Sequence, residues 1–105
     1  MDVNQFSTLT EALEALRKEG FTESFIIDDH GMRGMENQNR IRPEDVTIVQ
    51  YHRFEGTSNP DDMSVVYVIE TREGRKGTLV DAYGTYTNPE VDTFVKKAKL
   101  KEGLR

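Results

Sequence analysis

The sequence predicts an α+β domain with two layers, in which two amphipathic helices pack on one face of a four-stranded antiparallel sheet. The predicted element order is α-β-β-β-β-α. Apolar residues repeat at helical spacing near both ends of the chain and at every second position between them. Short links between the middle segments favour antiparallel pairing. With 105 residues, the chain has room for a single domain, 1–105.

The first helix is predicted from about residue 8 to residue 19. Thr8 and Glu11 have the spacing of a capping box, in which each side chain binds a backbone N–H group of the first turn. Apolar residues follow at i, i+3, i+4 and i+7, which gives the helix one apolar stripe. Gly20 then occupies a position that favours left-handed backbone and ends the helix.

Four strands are predicted because β-branched and aromatic residues alternate along them. Their ranges are Ser24–Asp28, Val46–Glu55, Met63–Thr71 and Lys76–Tyr83. The last two are joined by a tight hairpin at Arg72–Arg75, and the middle two by a turn-rich loop at Gly56–Asp62. Residues 31–45 show no clear period and are predicted to be a flexible loop, Gly31–Arg42, that ends in a turn at Pro43–Asp45.

The second helix is predicted after Asn88, which can cap it, with Pro89 in its first turn. An apolar stripe again follows, and Gly103 is expected to end the helix. The basic residues near the end of this helix lie in Lys96–Lys101. This segment is interpreted as a solvated last helical turn.

Both faces of the predicted sheet carry apolar residues near its centre. In the third strand, Val65, Tyr67 and Ile69 alternate with Val66 and Val68. A face exposed to water normally carries polar residues, so something is expected to cover the second face. The alternatives are the Gly31–Arg42 loop, a second copy of the chain, and a ligand.

The composition argues against several classes of function. A net charge of −5 disfavours nucleic acid as a partner, since phosphate backbones repel an acidic surface. Without cysteine, the chain has no disulfide, thiol catalysis or cysteine-bound metal. The sequence shows no secretory signal and no apolar run that could span a membrane, so we expect no membrane association and a cytoplasmic location.

Two groups of residues are candidate binding sites. Asp81 interrupts an apolar strand and needs a partner, for which Arg53, Arg72 and His52 are the alternatives. It is interpreted either as part of a structural ion pair or hydrogen bond, or as one candidate ligand site with Arg53, Tyr83 and Tyr86. His52 titrates near neutral pH and could act as a general base, but it has no identifiable nucleophile beside it. We interpret His52 as structural and predict no catalytic residues.

The second candidate is the end of the first strand. Phe25–Gly34 is similar to the ribose-phosphate loop of phosphoribosyltransferases, and that similarity implies that Asp28 and Asp29 bind ribose hydroxyl groups. The same acids with His30 could hold a divalent metal only with a further carboxylate from Asp61, Asp62 or Asp81. Adjacent strand positions point to opposite faces, so we expect neither a metal site nor a cofactor.

Two segments also resemble a known family: HRFEGTSNPDDMSVVYVIE and GRKGTLVDAYGTYTNPE. They are similar to short bacterial proteins that often carry the label phosphoribosylpyrophosphate synthetase, and the resemblance covers most of the chain. Synthetases of that name resemble two phosphoribosyltransferase-like domains in a much longer chain. Neither G-x-x-x-x-G-K-S/T nor G-x-G-x-x-G is present here, so we do not expect the activity that the label implies.

The sequence therefore predicts a non-catalytic module that associates with itself or with a protein partner through the uncovered sheet face. The alternative function is a domain that binds a small anionic or sugar-phosphate ligand.

Overall fold

A computed structural model describes residues 9–28, 30–36, 38–54, 64–82 and 89–101. Its elements are helix α1 (Leu9–Lys18), strands β1 (Glu23–Asp28) and β2 (Gly31–Gly34), a 3₁₀ turn (Pro43–Asp45), strands β3 (Val46–Phe54), β4 (Ser64–Thr71) and β5 (Lys76–Ala82), helix α2 (Pro89–Lys97) and strand β6 (Lys99–Leu100). The six strands form one curled sheet in the order β2-β1-β5-β4-β3-β6. The α+β class is confirmed, but the predicted four-stranded antiparallel sheet is wrong.

The sheet is mixed because its two ends join a central meander in parallel. Strands β3, β4 and β5 pair antiparallel, as their short links favour. Strand β1 pairs in parallel with β5 and antiparallel with β2, and β6 pairs in parallel with β3. Strand β2 lies at one edge of the sheet, the next strand along the chain, β3, lies near the other edge, and β1 lies beside β5.

The prediction of a loop from Gly31 to Arg42 is wrong for its first four residues, which form β2. Gly31 has a φ of +114°, so it makes the turn from β1 at little steric cost. Met32 is fully buried and forms an isolated bridge with Ile41, whose N–H donates to the Met32 carbonyl at 2.9 Å. Met32 and Ile41 thus anchor the two ends of this segment in the main core.

Helix α1 ends where the sequence predicts. Gly20 has a φ of +104°. The Gly20 N–H donates to the Arg17 carbonyl, and the Phe21 N–H donates to the Leu16 carbonyl. These two bonds are the double hydrogen bond of a Schellman motif. The predicted cap at Thr8 lies outside the described residues.

Helix α2 ends earlier than predicted. It stops at Lys97, and the next residues, Lys99 and Leu100, form β6 along the outer edge of β3. The Lys101 N–H donates to the Ile48 carbonyl at 2.9 Å, which satisfies an edge carbonyl of β3. Lys96 and Lys97 lie in the last turn of α2, as predicted. The interpretation is wrong for Lys99–Lys101, since edge pairing replaces helical hydrogen bonds after Ala98.

The two helices lie on opposite faces of the sheet, so the prediction that they share one face is wrong. Val91 and Phe94 of α2 belong to the main core cluster. The other buried members of this cluster come from the strands and the 35–45 segment, and they are Phe25, Met32, Ile41, Val46, Ile48, Ile69 and Leu79.

Helix α1 covers part of the opposite face. It contacts β4, and its buried residues are Ala12 and Leu16, both fully buried. Because Ile69 of β4 faces α2, Val66 and Val68 at alternate positions face α1, and both have no exposed surface. The apolar second face of β4 is thus covered by the chain's own first helix.

A β-bulge in β3 changes which residues share a face. The register shifts between Ile48 and Gln50, so that Ile48 pairs with Ile69 but His52 pairs with Val66. Val46, Ile48 and Tyr51 consequently lie on the α2 side, whereas a regular alternation would have placed Tyr51 on the other face.

Candidate functional site

One row of side chains across the central meander contains two of the predicted site residues. Arg53 pairs with Val65, and Val65 pairs with Asp81, so the three lie side by side on the α2 face of the sheet. Val65 between them is only 4% exposed. Opposite charges therefore flank an apolar position at one end of the sheet. Tyr83 and Tyr86, the other two predicted residues, lie outside the described residues.

Two tyrosines that sequence reasoning did not assign to the site lie in the next row. Tyr51 pairs with Tyr67, and the Arg53 guanidinium carbon lies 5.6 Å from the centroid of the Tyr51 ring, within cation–π range. We call Tyr51, Arg53, Tyr67 and Asp81 the Arg53 cluster. It combines a cation, a carboxylate and two phenols, which are groups that position a polar ligand by hydrogen bonds.

The environment of Tyr67 links the Arg53 cluster to helix α2. Burial raises the pKa of the Tyr67 phenol, the negative charge of Asp81 raises it further, and Arg53 acts in the opposite direction. Asp92 in α2 adds to the increase. The phenol therefore stays protonated at neutral pH and serves as a hydrogen-bond donor rather than as a base.

Asp28, a predicted ligand of a ribose-phosphate group, is engaged by arginines of its own chain. Its carboxylate accepts hydrogen bonds from Arg40 Nη1, from the His30 backbone N–H at 2.9 Å and from Arg33 Nε at 3.5 Å. Arg40 also donates to the Gly31 carbonyl at 3.3 Å. Asp28 therefore ties β1, β2 and residue 40 together. Asp29 lies outside the described residues.

These contacts predict an acid-dependent change at Asp28. The Arg40 hydrogen bond, followed by the His30 N–H, lowers the pKa of Asp28 from 3.8 to about 2. Because the folded-state pKa lies below the unfolded value, this carboxylate stabilises the fold above about pH 4, and the stabilisation is lost as the pH falls towards about 2. We expect Arg40→Gln to raise the pKa of Asp28, measured from the carboxyl ¹³C shift. An unchanged titration in this variant would contradict the contact.

His52 is buried in the part of the fold covered by α1. It is 3% exposed, and its Nε2 lies 3.1 Å from Oε1 of Gln50, to which it donates because an amide oxygen only accepts. Burial lowers the pKa of His52 from its ordinary value of 6.5, and the charge of Glu19 acts in the other direction. The structural interpretation of His52 stays a prediction.

A second pH dependence follows from His52. As the pH falls below about 6.5, the unfolded chain binds a proton at this histidine before the folded chain does. Proton binding therefore stabilises the unfolded state relative to the folded state. We expect the free energy of unfolding, measured in urea, to decrease between about pH 7.5 and about pH 5.5. His52→Gln should remove this component, whereas an equal decrease in the variant would assign it to other groups.

An apolar area of the sheet remains open beside α1. Val80 of β5 is 42% exposed and Met35, just after β2, is 58% exposed, while Ile26 of β1 lies partly buried between them. We call Ile26, Met35 and Val80 the open strip. It lines a cavity of about 220 Å³ together with Leu13 and Arg17 of α1.

A second cavity continues the open strip towards its charged rim. Its volume is about 470 Å³, and Met35 lines it together with Arg17 and Glu36. The two cavities share Met35 and Arg17, so they form one continuous depression along the α1 side of the sheet. Sequence reasoning could have found Val80, which alternates against Leu79, but not Met35, which was assigned to a loop.

Comparison with known proteins leaves the family resemblance a prediction. No protein-family model matches the chain, and neither a curated protein nor a solved structure matches it. Within the described ranges, no helix has both the length and the apolar character needed to cross a membrane. In the same part of the chain, no group of three or more His, Asp or Glu residues is placed to hold a metal ion.

Proposed function

We propose that this chain is a non-catalytic protein-binding module that associates through the open strip. The observation that carries the proposal is the exposure of Met35 and Val80 on either side of Ile26, above a continuous depression. Burying apolar surface stabilises an interface by about 25 cal/mol for each Å² removed from water. A strip of three therefore supplies the central apolar patch of a small interface.

The open strip is narrower than the uncovered face that the sequence predicts. Helix α1 covers the β4 part of that face, over Val66 and Val68, and leaves the β5 and β1 part accessible. Association through the sheet face is therefore proposed for β1, β5 and the segment after β2 alone.

The shifted titratable groups support binding rather than catalysis, because their contacts hold the fold together. Asp28 binds Arg40, and His52 is buried beside Gln50. Arg75 forms two hydrogen bonds with the carboxylate of Glu23, at 2.7 and 2.9 Å, and these raise the pKa of its guanidinium. Groups committed to such contacts are poorly placed to transfer protons to a substrate.

Site-specific photo-cross-linking in cells tests this function. A benzophenone amino acid at position 80 should give covalent adducts with protein, because Val80 lies in the proposed interface. The same group at position 97, exposed on α2 across the sheet, is the control and should give none. Equal or absent adducts at the two positions would contradict the proposal.

A second candidate function is binding of a small anionic or sugar-phosphate ligand at the Arg53 cluster. Arg53 and Asp81 on either side of Val65 favour it, because a cation and a carboxylate can bind phosphate and hydroxyl groups respectively. Ribose 5-phosphate is the probe, and amide shifts at Val65 and Tyr67 report its binding. Arg53→Ala and Asp81→Ala should each abolish saturable shifts. Unchanged affinity in both variants would exclude this site.

A further inference from the structure

We infer that Met35 is a site of reversible oxidation by peroxides, and that oxidation of Met35 weakens protein binding at the open strip. The site itself rests on the accessibility of the Met35 thioether. Its effect on binding rests on the proposed function and adds a form of regulation to it. The chain contains four methionines and no cysteine, so thioethers are its only sulfur groups. Peroxides that oxidise protein sulfur therefore act on methionine in this chain.

The fold separates two methionines that lie three positions apart in the chain. Met35 is 58% exposed, whereas Met32 has no exposed surface and belongs to the main core cluster. A peroxide molecule can reach the Met35 side chain without any opening of the fold. The same reaction at Met32 requires local unfolding, which exposes only a small fraction of the molecules at any time. Oxidation of the folded chain is therefore expected to select Met35.

Met35 is held at a fixed place in the open strip. Strand β2 pairs with β1 as far as Gly34, and the next residue continues this ladder, since the Met35 N–H donates to the Ser24 carbonyl at 2.9 Å. The Met35 side chain lines the cavity of about 220 Å³ together with Ile26 and Val80. Oxidation therefore changes one of the three residues that form the strip.

The reaction with hydrogen peroxide needs no group from the protein other than the thioether. The Met35 sulfur attacks one peroxide oxygen, an S–O bond forms, and the O–O bond breaks. The other oxygen leaves as hydroxide and takes the remaining proton to become water. Sulfur loses two electrons, which the peroxide gains. Methionine sulfoxide reductases reverse the change, releasing the oxygen as water while two thiols become a disulfide. Because this chain has no thiol, a separate reductase must supply them.

The sulfoxide alters the property on which the open strip depends. Oxidation converts a flexible apolar side chain into a polar one that carries a strong hydrogen-bond acceptor. A partner that covers Ile26 and Val80 would also cover this oxygen and remove it from water. Because a buried acceptor without a donor is costly, we expect the partner's affinity to fall by about tenfold.

Treatment of the purified chain with hydrogen peroxide tests the site. Trypsin cleaves after Arg33, so Met32 and Met35 fall in different peptides and mass spectrometry measures each sulfoxide separately. We expect Met35 to oxidise at least about tenfold faster than Met32 in the folded chain. In concentrated urea the two rates should agree to within about twofold, because Met32 is then exposed. Methionine sulfoxide reductases of both stereochemical classes, with dithiothreitol, should restore the native mass.

One result with the purified chain would overturn the assignment of the site. If Met32 oxidises as fast as Met35 while the chain is folded, the exposure of Met35 does not direct the reaction. The rates in urea serve as the control for intrinsic reactivity, since they measure both thioethers without the fold.

Cross-linking in cells from position 80 tests the effect on binding. Met35→Gln introduces a polar side chain of similar length and should lower the yield of protein adducts by about tenfold. Met35→Leu keeps an apolar side chain of similar volume and should leave the yield within about twofold of the native value. Circular dichroism of each purified variant establishes that it is folded.

Peroxide treatment of the same cells separates Met35 from other effects of oxidation. Adducts of the native chain and of the Met32→Leu control should decrease, whereas adducts of Met35→Leu should persist. If adducts form but neither peroxide nor Met35→Gln lowers them, the regulation is wrong and the protein-binding function stands. If position 80 gives no adducts in any chain, the protein-binding function fails and its regulation with it. The peptide analysis of the purified chain decides the oxidation site in either case.

Discussion

Gly77→Ala is expected to destabilise the fold by about 3 kcal/mol or more, at the upper end of overpacking effects. A Cβ atom added at Gly77 would lie 2.2 Å from the backbone oxygen of Glu23 and 2.7 Å from its carbonyl carbon. Because these are backbone atoms of β1, rotation of a side chain cannot relieve the contact. The parallel pairing of β1 with β5 would have to separate at its first residue pair, Glu23 with Gly77.

Urea unfolding of this variant can be compared with Gly74→Ala in the hairpin. Gly74 has a φ of +91° but nothing within 4 Å of an added Cβ, so its substitution carries only the backbone cost, about 1 kcal/mol. Gly77→Ala should therefore lower the free energy of unfolding several times more. Equal losses in the two variants would show that β1 does not approach Gly77 closely.

Leu16→Ala is expected to cost about 2–5 kcal/mol, the range for a fully buried leucine that leaves a cavity. Leu16 has no exposed surface and lies on the side of α1 that faces β4. The measurement is the free energy of unfolding in urea, with Leu13→Ala as control, because Leu13 is only partly buried and borders the open strip. A loss below about 1 kcal/mol would contradict the placement of α1.

A double-mutant cycle tests whether the helices lie on opposite faces. Phe94→Leu alters the α2 side of the core, which shares no described cluster with Leu16. Substitutions at separated sites add to within about 0.5 kcal/mol, whereas helices packed together on one face would show a larger coupling energy. We therefore expect the double variant to lose as much free energy of unfolding as the two single variants lose together. A coupling energy above about 1 kcal/mol would contradict the placement of the helices on opposite faces.

The parts of the fold that could be predicted are those with strong local signals. The stripe containing Ala12 and Leu16, followed by Gly20, predicts α1 and its end, and the structure places both as expected. Alternation and the short hairpin at Arg72–Arg75 likewise predict the central meander. These signals come from residues close in sequence, which the chain brings together without distant partners.

The parts that could not be predicted depend on contacts distant in sequence. Strand β2 contains two glycines in four residues and exists because Met32 is buried against the core. Strand β6 is two exposed residues, Lys99 and Leu100, that pair with β3. The apolar residues on both sides of β4 did indicate two covered faces, but nothing local identifies α1 as the cover of the second.

The candidate site also contains residues that local sequence signals predict and residues that depend on contacts distant in sequence. Asp81 within an apolar strand predicts a partner such as Arg53, and the structure places the two in one row across Val65. Tyr51 and Tyr67 were not assigned to the site. They share a face of the sheet because of the β-bulge in β3, which regular alternation does not predict. Met35 of the open strip was missed because β2 was not predicted.

The parallel contact of β1 with β5 also has a consequence for the order of folding. Glu23 and Arg75, whose ion pair secures this contact, are 52 positions apart in the chain, whereas neighbouring strands of the β3-β4-β5 meander follow one another directly. Closing a long loop costs more entropy than forming a hairpin. We therefore expect the meander to form early, and the α1-β1-β2 unit to dock late and set the folding rate. Until it docks, the edge of β5 remains open to pairing with another chain.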